Sequence, residues 1–345
     1  MDLVLSLFDE YVLDTVYARL VPLSAFASSV NSAPGLSSKL FLAATDASSS
    51  PWTRLVSRLP HPELKHEYLA PLFNATMGSG SATSAHAFSD ISAWPRDYIP
   101  RQLISLTAIT MVGIHVLYFL FAWISYTFIF NHDMMRHPKF LKNQVKLEIQ
   151  TSVKSFPGMM LLTLPFFFAE VRGYSMVYSS VDDYGWAYLI ASVPLYLLFT
   201  DYGIYWIHRW LHLPIFYKYI HKPHHKWLVP TPFASHAFHP LDGFAQSIPY
   251  HVFVFVFPLH RVLFIGLFVA VNFWTIFIHD SDMVTGHVLE KFINGPAHHT
   301  LHHLYFTVNY GQYFTWADRW GGSYRQPEAS LDPLLEVQAL DKKAE

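Results

Sequence analysis

The sequence contains no cysteine, and this absence excludes several kinds of site at once. A chain without cysteine forms no disulfide, no thiolate zinc site and no iron–sulfur cluster, and it has no thiol nucleophile. Charge is also scarce, because Asp, Glu, Lys and Arg make up 14% of the 345 residues, against about 25% in ordinary globular chains. The formal net charge of −2 lacks the basic excess of a nucleic-acid-binding protein. So few charges cannot cover the surface of a water-soluble protein of this size.

Apolar residues account for 52% of the chain, and they occur in long blocks. The four blocks are residues 103–130, 156–170, 185–200 and 245–278. The first has no charge and exceeds the roughly 20 residues that a spanning helix needs. The last is interrupted by Pro249, Pro258 and His260-Arg261, which favours two short helices meeting at 258–261. These patterns predict an all-α integral membrane protein with four to five transmembrane or hairpin helices and a cytosolic, histidine-rich helical cap.

The distribution of basic residues predicts the orientation of these helices. The 131–154 connection carries five Lys and Arg residues, which is typical of a cytosolic loop. Residues 1–100, with an amphipathic helix, a flexible Ser-rich segment and a glycosylation sequon at Asn74, are then expected in the lumen. Residues 101–327 form the predicted membrane domain, and 328–345 a cytosolic tail. Its Lys342-Lys343-Ala344-Glu345 sequence matches the dilysine retrieval signal, so we expect a multi-pass protein of the endoplasmic reticulum membrane.

Histidine is the one polar residue type present in excess. The chain has 21, and 15 of them lie between positions 208 and 303. Eight form three spaced motifs, the HxxxH pair His208 and His212 and two HxxHH motifs: His221, His224, His225 and His299, His302, His303. Residues three and four apart share a helix face, so each motif is expected to point two or three imidazoles in one direction. We expect Pro223 to lie at the start of a helix carrying the second motif and Gly295-Pro296 to open the helix carrying the third.

This spacing predicts a metal site on the cytosolic face. Eight imidazoles are too many for one tetrahedral zinc and indicate two metal ions. Imidazole suits zinc, copper, iron and nickel alike, so the ligand type does not choose among them. No carboxylate lies inside the motifs, as a hydrolytic dinuclear site would usually require. An all-nitrogen site beside apolar helices favours iron that activates O₂ against a lipid-soluble substrate.

Two longer stretches carry a resemblance to a known family. HRWLHLPIFYKYIHKPHHKWLVPTPFASHAFHPLDG and HHTLHHLYFTVNYGQYFTWADRWGGSY resemble the membrane fatty-acid hydroxylase/sterol desaturase superfamily, and within it the sterol C5-desaturases of fungal type. The resemblance implies two iron ions, with zinc able to occupy the site in a purified protein. It further implies O₂ and electrons from NADH, delivered by cytochrome b5 and its NADH reductase. The implied reaction introduces the C5=C6 double bond into a Δ7-sterol in ergosterol-type sterol biosynthesis.

The resemblance also implies a ligand set. Carried over to this chain, the catalytic and metal-binding residues are His208, His212, His221, His224, His225, His299, His302 and His303. Two further ligands are expected outside the motifs, with His239 and His279 as candidates and His236 and His298 as adjacent alternatives. Related hydroxylases have a second histidine four residues after the one like His279, where this chain has Met283. The candidate partners of the second ring nitrogens are Asp201, Asp242, Asp280 and Asp318, although capping or loop solvation is the commoner role for any single aspartate.

Two other functions remain compatible with these patterns. A lipid or sterol hydroxylase, or a C4-methyl sterol oxidase, would use the same metal chemistry and give an alcohol or acid instead of a double bond. A membrane metal transporter would place ionisable ligands inside its spans. The blocks 103–130 and 185–200 contain only His115, which counts against transport.

Overall fold

The computed structural model describes residues 1–26, 50–63 and 91–344. The chain divides into two compact units, Met1–Ala108 and Ile109–Glu345. The predicted Ser-rich runs and Asn74 lie outside the described residues.

The first unit has a small hydrophobic core of its own. Its elements are a continuous helical segment built from Asp2–Phe8, a π turn Asp9–Leu13 and Asp14–Leu20; a 3₁₀ turn Leu23–Phe26; a helix Pro51–Val56; and the start of the helix Ile99–Phe128. Leu23, Val56 and Ala93 are among the buried core residues. The buried Arg101 pairs with Asp9 at 2.6 Å, so a desolvated cation and anion neutralise each other. The described residues after position 23 thus pack into this core, which the Ser-rich composition of the segment did not indicate.

The second unit is helical, as the sequence predicts. Its helices are the remainder of Ile99–Phe128, then Gln144–Val171, Gly185–Leu211, Pro214–Phe216 continued by a π turn Tyr217–His221, Pro240–Val256, Arg261–Phe277, Pro296–Tyr305, Trp316–Trp320 and Leu334–Ala344. Its 3₁₀ turns are His132–Arg136, Val181–Asp183, Pro232–His236, Val288–Lys291 and Ala329–Leu331. A two-residue parallel pairing joins Val177–Tyr178 to Leu259–His260. The all-α membrane fold is confirmed.

In the described part of the chain, three helices are long and apolar enough to cross a membrane, namely Ile99–Phe128, Gln144–Val171 and Gly185–Leu211. The fourth apolar block is split into Pro240–Val256 and Arg261–Phe277, so the expected hairpin of two short helices is confirmed. Pro258 follows the first of these helices, where the backbone is extended at Phe257. Proline favours this conformation in the residue before it.

The second spanning helix begins twelve residues before its apolar block. Its first turns carry polar residues, but Gln144 and Glu148 are buried and act as a pair. The Gln144 amide donates to the Glu148 carboxylate at 2.8 Å and to the Val229 carbonyl at 2.8 Å. Glu148 in turn accepts hydrogen bonds from the backbone N–H and the hydroxyl of Thr231. These contacts hold the segment that follows the second histidine motif against the helix.

The C-terminal segment carries a helix, Leu334–Ala344, that packs beside the turn His132–Arg136. Val337 is buried in this contact, and Arg136 donates to Asp341. Lys342 and Lys343 of the dilysine pattern are exposed.

Candidate metal centre

The structure gathers nine of the predicted histidine ligands into two adjacent groups. Within each group the ligand nitrogens lie within 4.8 Å of one another. The five-histidine group is His208, His212, His221, His225 and His302, and the four-histidine group is His224, His279, His299 and His303. The rings of His225 and His303, one from each group, have centroids 5.0 Å apart. Eight of the nine rings are buried, and His212 is half-buried.

Each HxxHH motif serves both groups. In the third motif, His299 and His303 enter the four-histidine group and His302 the five-histidine group. The second motif is divided the other way, with His221 and His225 in the five-histidine group and His224 in the other. Each motif thus points two imidazoles in one direction, as expected, and the remaining histidine of each HxxHH motif belongs to the other group. On a helix, residues four apart differ by about 40° in direction while neighbours differ by about 100°, so adjacent histidines diverge.

The local backbone of the last two motifs differs. Pro296 is the first residue of the helix Pro296–Tyr305 and Gly295 is its N-cap, as predicted. The second motif does not start a helix. His221 ends the π turn Tyr217–His221, and Pro223 lies in the turn that follows. The helical segment instead begins at Pro214, whose fixed φ suits a first helical position.

His279 joins the site from the end of the helix Arg261–Phe277. Its Nε2 lies 2.9 Å from that of His299 and 3.3 Å from that of His224. Its Nδ1 contacts the Thr275 carbonyl at 2.6 Å. It thus takes a ligand position in the four-histidine group although Met283 replaces the second histidine of related hydroxylases.

The structure places His239 and the two alternatives outside both groups. His239 is the N-cap of Pro240–Val256, where its Nδ1 accepts a hydrogen bond from the Leu241 N–H at 3.2 Å. His236 is buried with its Nδ1 3.0 Å from the Ser235 hydroxyl. The His298 ring lies 5.8 Å from that of Tyr324.

The distances between Nε2 atoms match those around a shared metal. In the five-histidine group, His225 Nε2 lies 3.0 Å from His221 Nε2 and 3.1 Å from those of both His212 and His302. In the four-histidine group, His299 and His303 are 3.1 Å apart. Two nitrogens bound at 2.0–2.1 Å are about 2.9 Å apart at a right angle and about 3.3 Å apart in a tetrahedron. The spacing therefore fits one metal per group.

The contacts at Nδ1 explain why a cation is needed. The Nδ1 atoms of His208, His302 and His303 lie 3.0, 2.7 and 2.9 Å from the carbonyl oxygens of Tyr310, Val308 and Trp227. A carbonyl only accepts, so each of these nitrogens carries the proton in the neutral ring, and the lone pair is then on Nε2.

His221 follows the same rule with a carboxylate. Its Nδ1 donates to Asp242 Oδ2 at 2.7 Å, with both side chains fully buried. The Nε2 atoms of His208 and His221 consequently face each other at 3.1 Å with a lone pair on each. Such an arrangement is repulsive unless a cation lies between the rings, so the donor set fits a bound metal ion.

Burial keeps the imidazoles neutral. Desolvation lowers the pKa of His279 to about 3. Burial, reinforced by the neighbouring imidazoles, lowers the pKa of further rings of both groups, namely His212, His224, His225, His299, His302 and His303. Neutral imidazole is the form that binds metals, so these rings do not have to lose a proton at neutral pH.

Of the four expected aspartate partners, Asp242 contacts a ligand directly. Asp318 instead accepts the backbone N–H groups of Tyr310 and Gly311, each at 2.8 Å. Asp201 accepts those of the next three residues, Gln312, Tyr313 and Phe314, at 2.7–3.3 Å. Five consecutive N–H groups thus bind two carboxylates, and the first residue of the run supplies the carbonyl that contacts His208. Asp280 accepts from the Asp282 N–H at 3.0 Å, and burial raises its pKa to about 7.

Sequence reasoning missed the backbone carbonyls that orient the rings. Any residue type supplies a carbonyl, so no sequence signal marks Trp227, Val308 or Tyr310 for this role. The Trp227 side chain itself is fully buried, and its Nε1 donates to the Ala237 carbonyl at 3.1 Å.

The comparisons with known proteins agree on one family. Residues 193–323 match the family model described as fatty acid hydroxylase. The chain is 52% identical over 280 residues to a Delta(7)-sterol 5(6)-desaturase of Gibberella zeae, covering 79% of this chain and 87% of the relative. It is 47% identical over 332 residues to one from Aspergillus fumigatus, covering 96% and 88%.

A mammalian relative is equally similar over a shorter range. The lathosterol oxidase of Homo sapiens is 52% identical over 253 residues, covering 72% of this chain and 85% of the relative. No solved structure matches the chain. At this identity and coverage, the chain belongs to the family of Delta(7)-sterol 5(6)-desaturases and lathosterol oxidases, and it carries that family's fatty acid hydroxylase domain.

Proposed function

We propose that this chain is an oxidoreductase that introduces the C5=C6 double bond into a Δ7-sterol. The observation that carries the proposal is the pair of buried all-histidine groups in a membrane protein whose relatives bear that activity in their names. In the balanced reaction the sterol loses one hydrogen each from C5 and C6. O₂ takes these two hydrogens together with two electrons and two protons, and it leaves as two molecules of water.

Iron is the metal proposed for the working enzyme. Imidazole alone does not distinguish iron from zinc, but zinc has no redox chemistry, and a reaction that reduces O₂ needs a redox-active metal. Two iron ions, when bound, supply the oxidising power for removing hydrogen from an unactivated carbon. Zinc binds the same ligand geometry and can replace iron during purification.

The residues of the chain hold and orient that chemistry. The nine histidines serve as ligands through their Nε2 atoms, while Asp242 and the carbonyls keep the protons on Nδ1. Burial of the rings excludes water and protects the reaction from competing hydrolysis and proton leakage. Asp201 and Asp318 fix the loop that contacts His208. His239 caps a helix and has no part in the proposed ligand set.

Electrons are proposed to come from NADH through cytochrome b5 and its reductase. Lys222 lies within the second motif and Lys226 directly after it, and both are exposed, so they can attract an acidic partner. The nearby Arg209 is engaged internally, because its Nη1 donates to the Tyr205 hydroxyl and the Gly321 carbonyl. We place the protein in the endoplasmic reticulum membrane with the metal centre on the cytosolic side. The basic 131–154 loop and the exposed Lys342 and Lys343 support this placement.

The test is expression in a cell that lacks its own C5-desaturase and accumulates Δ7-sterols. We expect Δ5,7-sterols, recognised by the ultraviolet bands of the conjugated diene. His302→Ala should abolish them at an unchanged protein level, because it removes a ligand of the five-histidine group. His239→Asn should retain them, since asparagine preserves the helix cap.

Each other outcome contradicts part of the proposal. Wild-type protein that is present but forms no diene would exclude C5 desaturation, and an alcohol or acid product would assign the chain to the hydroxylase or C4-methyl oxidase reaction. Full activity of His302→Ala would exclude the ligand set. Loss of activity in His239→Asn with normal protein and metal content would show that His239 acts in the site.

A further inference from the structure

An exposed aromatic cluster lies where the helix Gly185–Leu211 reaches the metal centre. Tyr202, Trp206 and Trp210 follow one another at intervals of four residues and therefore lie on one side of the helix. Two tryptophans of the short helix Trp316–Trp320 complete the cluster. The rings of Tyr202 and Trp316 are stacked at 5.5 Å, and those of Trp206 and Trp320 are 6.2 Å apart.

The cluster is exposed to an unusual degree for aromatic side chains. Trp320 is 68% exposed and Trp210 is 54% exposed. Contiguous apolar surface of this kind on a protein indicates contact with another molecule or with a membrane. The same helix exposes Ile190 and Leu198 nearer its other end, so the cluster continues the apolar surface of a helix long enough to cross a bilayer.

A second aromatic set lies at the opposite end of that helix. Tyr184, the residue before the helix, and Trp186 are both exposed there. Trp186 and Trp206 are 20 residues apart, which corresponds to about 30 Å along a helix axis and equals the hydrocarbon thickness of a bilayer. Tyrosine and tryptophan are enriched at both interfaces of a membrane because their rings are apolar and their N–H or O–H groups are polar.

The short helix Trp316–Trp320 is held against the end of the helix Gly185–Leu211 that carries His208. Arg209 Nη1 donates to the Gly321 carbonyl at 2.7 Å, just after the helix ends. A Cβ atom on Gly321 would lie only 1.7 Å from the Tyr205 hydroxyl, so any larger residue there would have to displace the Tyr205 side chain. The aromatic cluster and the metal ligand His208 are therefore fixed to the same stretch of helix.

We propose that the aromatic cluster lies in the headgroup region of the bilayer and that Trp316–Trp320, a helix too short to span, rests on the membrane surface. The occupant of this surface is lipid, as the 30 Å spacing and the continuity with the lipid-facing helix indicate. His208, two residues from Trp206 and on the buried side of the helix, then lies at the edge of the hydrocarbon layer. This placement is independent of the reaction, and it lets a lipid-soluble substrate reach the metal centre without leaving the membrane.

The absence of native cysteine allows a direct test by spin labelling. Trp320→Cys is labelled with a nitroxide in the full-length protein in phosphatidylcholine vesicles, and its collision rates with O₂ and with water-soluble nickel-EDDA are measured. Ile190→Cys provides the hydrocarbon reference and the exposed Ser330→Cys the aqueous reference. We expect the ratio of O₂ to nickel collisions at position 320 to shift clearly above that at 330 and to remain below that at 190.

Trp316→Cys provides a second position in case one variant does not fold, with wild-type metal content as the folding criterion. A ratio at both positions equal to that of Ser330→Cys would overturn the proposal, because the cluster would then face water. Spin–spin broadening that disappears on dilution with unlabelled protein would also overturn it, since a second copy of the chain would be the occupant.

Discussion

Five of the nine rings of the metal centre are oriented by the group that contacts their Nδ1 atom. Backbone carbonyls fill this role for His208, His279, His302 and His303, and the Asp242 carboxylate fills it for His221. Asp242 differs from the carbonyls in bringing a full negative charge to a site of neutral ligands. It is also the one among these five partners that substitution can remove without moving the backbone.

Replacing Asp242 by asparagine tests this role. If the amide N–H₂ group faces His221 Nδ1, it favours the tautomer whose proton is on Nε2, and that nitrogen then cannot bind a metal. Removing such a partner typically lowers metal affinity about 10–100-fold. We expect Asp242→Asn to lose metal from the five-histidine group in the presence of a competing chelator, as measured by metal analysis of the dialysed protein.

Asp133→Asn provides the matched control. Asp133 is an exposed carboxylate that contacts Arg136 at 4.0 Å, and it lies outside both histidine groups. It should keep wild-type metal content. Equal metal retention by the Asp242 variant and this control would show that the carboxylate does not orient His221.

Single residues outside the motifs were the least predictable part of the site. The resemblance suggested both His239 and His279, and the structure brings His279 alone into a group. His239 precedes Pro240, and a proline at the first helical position marks the residue before it as a helix cap. That local signal was available in the sequence, whereas the position of His279 depends on how the hairpin packs.

At the scale of elements, spacing predicted which histidines lie close together but not how they are divided between the two groups. The i and i+4 histidines of each HxxHH motif lie on nearly the same side of the backbone, while the i+3 histidine points to the other group. Two short segments placed side by side therefore each contribute two rings to one group and one ring to the other. Removal of either segment would affect both metals, which is a consequence of the packing and not of either motif alone.

The loop 310–314 is a second element whose structure the sequence did not indicate. Asp318 and Asp201 together bind all five of its N–H groups, and Trp274 donates to the Gln312 carbonyl at 2.8 Å. Such dense hydrogen bonding leaves the Tyr310 carbonyl a fixed position from which to orient His208.

Asp318→Asn should loosen this loop, because an amide N–H₂ group cannot accept the hydrogen bond that one carboxylate oxygen accepts. We expect the metal-to-protein ratio to fall from two towards one as the five-histidine group is lost, while the four-histidine group is retained. Ser323→Ala is the control, since it removes the hydroxyl that donates to Asp318 at 2.8 Å and leaves both backbone contacts. Two metals retained by Asp318→Asn would mean that the carboxylate does not act on His208.

For the whole molecule, hydrophobicity predicted the spanning helices and the hairpin because lipid imposes length and composition on each segment separately. It did not predict structure that depends on distant contacts. In the first unit, the Tyr17 hydroxyl lies 3.0 Å from that of Ser105, and Arg101 pairs with Asp9 across 92 positions. The early start of Gln144–Val171 likewise depends on Thr231, far away in the chain.

The metal centre also makes the stability of the second unit depend on its metals. Without cations, the lone pairs on the Nε2 atoms of His208 and His221 face each other at 3.1 Å in a buried site, so the folded state is destabilised. A ligand at a hundred times its dissociation constant contributes about 2.7 kcal/mol, which for a unit of this size corresponds to a shift of roughly 5–10 °C in the melting midpoint. We therefore expect a strong chelator to lower the midpoint by at least about this amount, and ferrous iron added after removal of the chelator to restore it, as followed by tryptophan fluorescence in detergent.

His302→Ala, which already lacks one ligand, should show a smaller shift. An unchanged midpoint in protein shown by metal analysis to be metal-free would mean that the rings rearrange without cost, and that the tautomers inferred from the Nδ1 contacts are wrong.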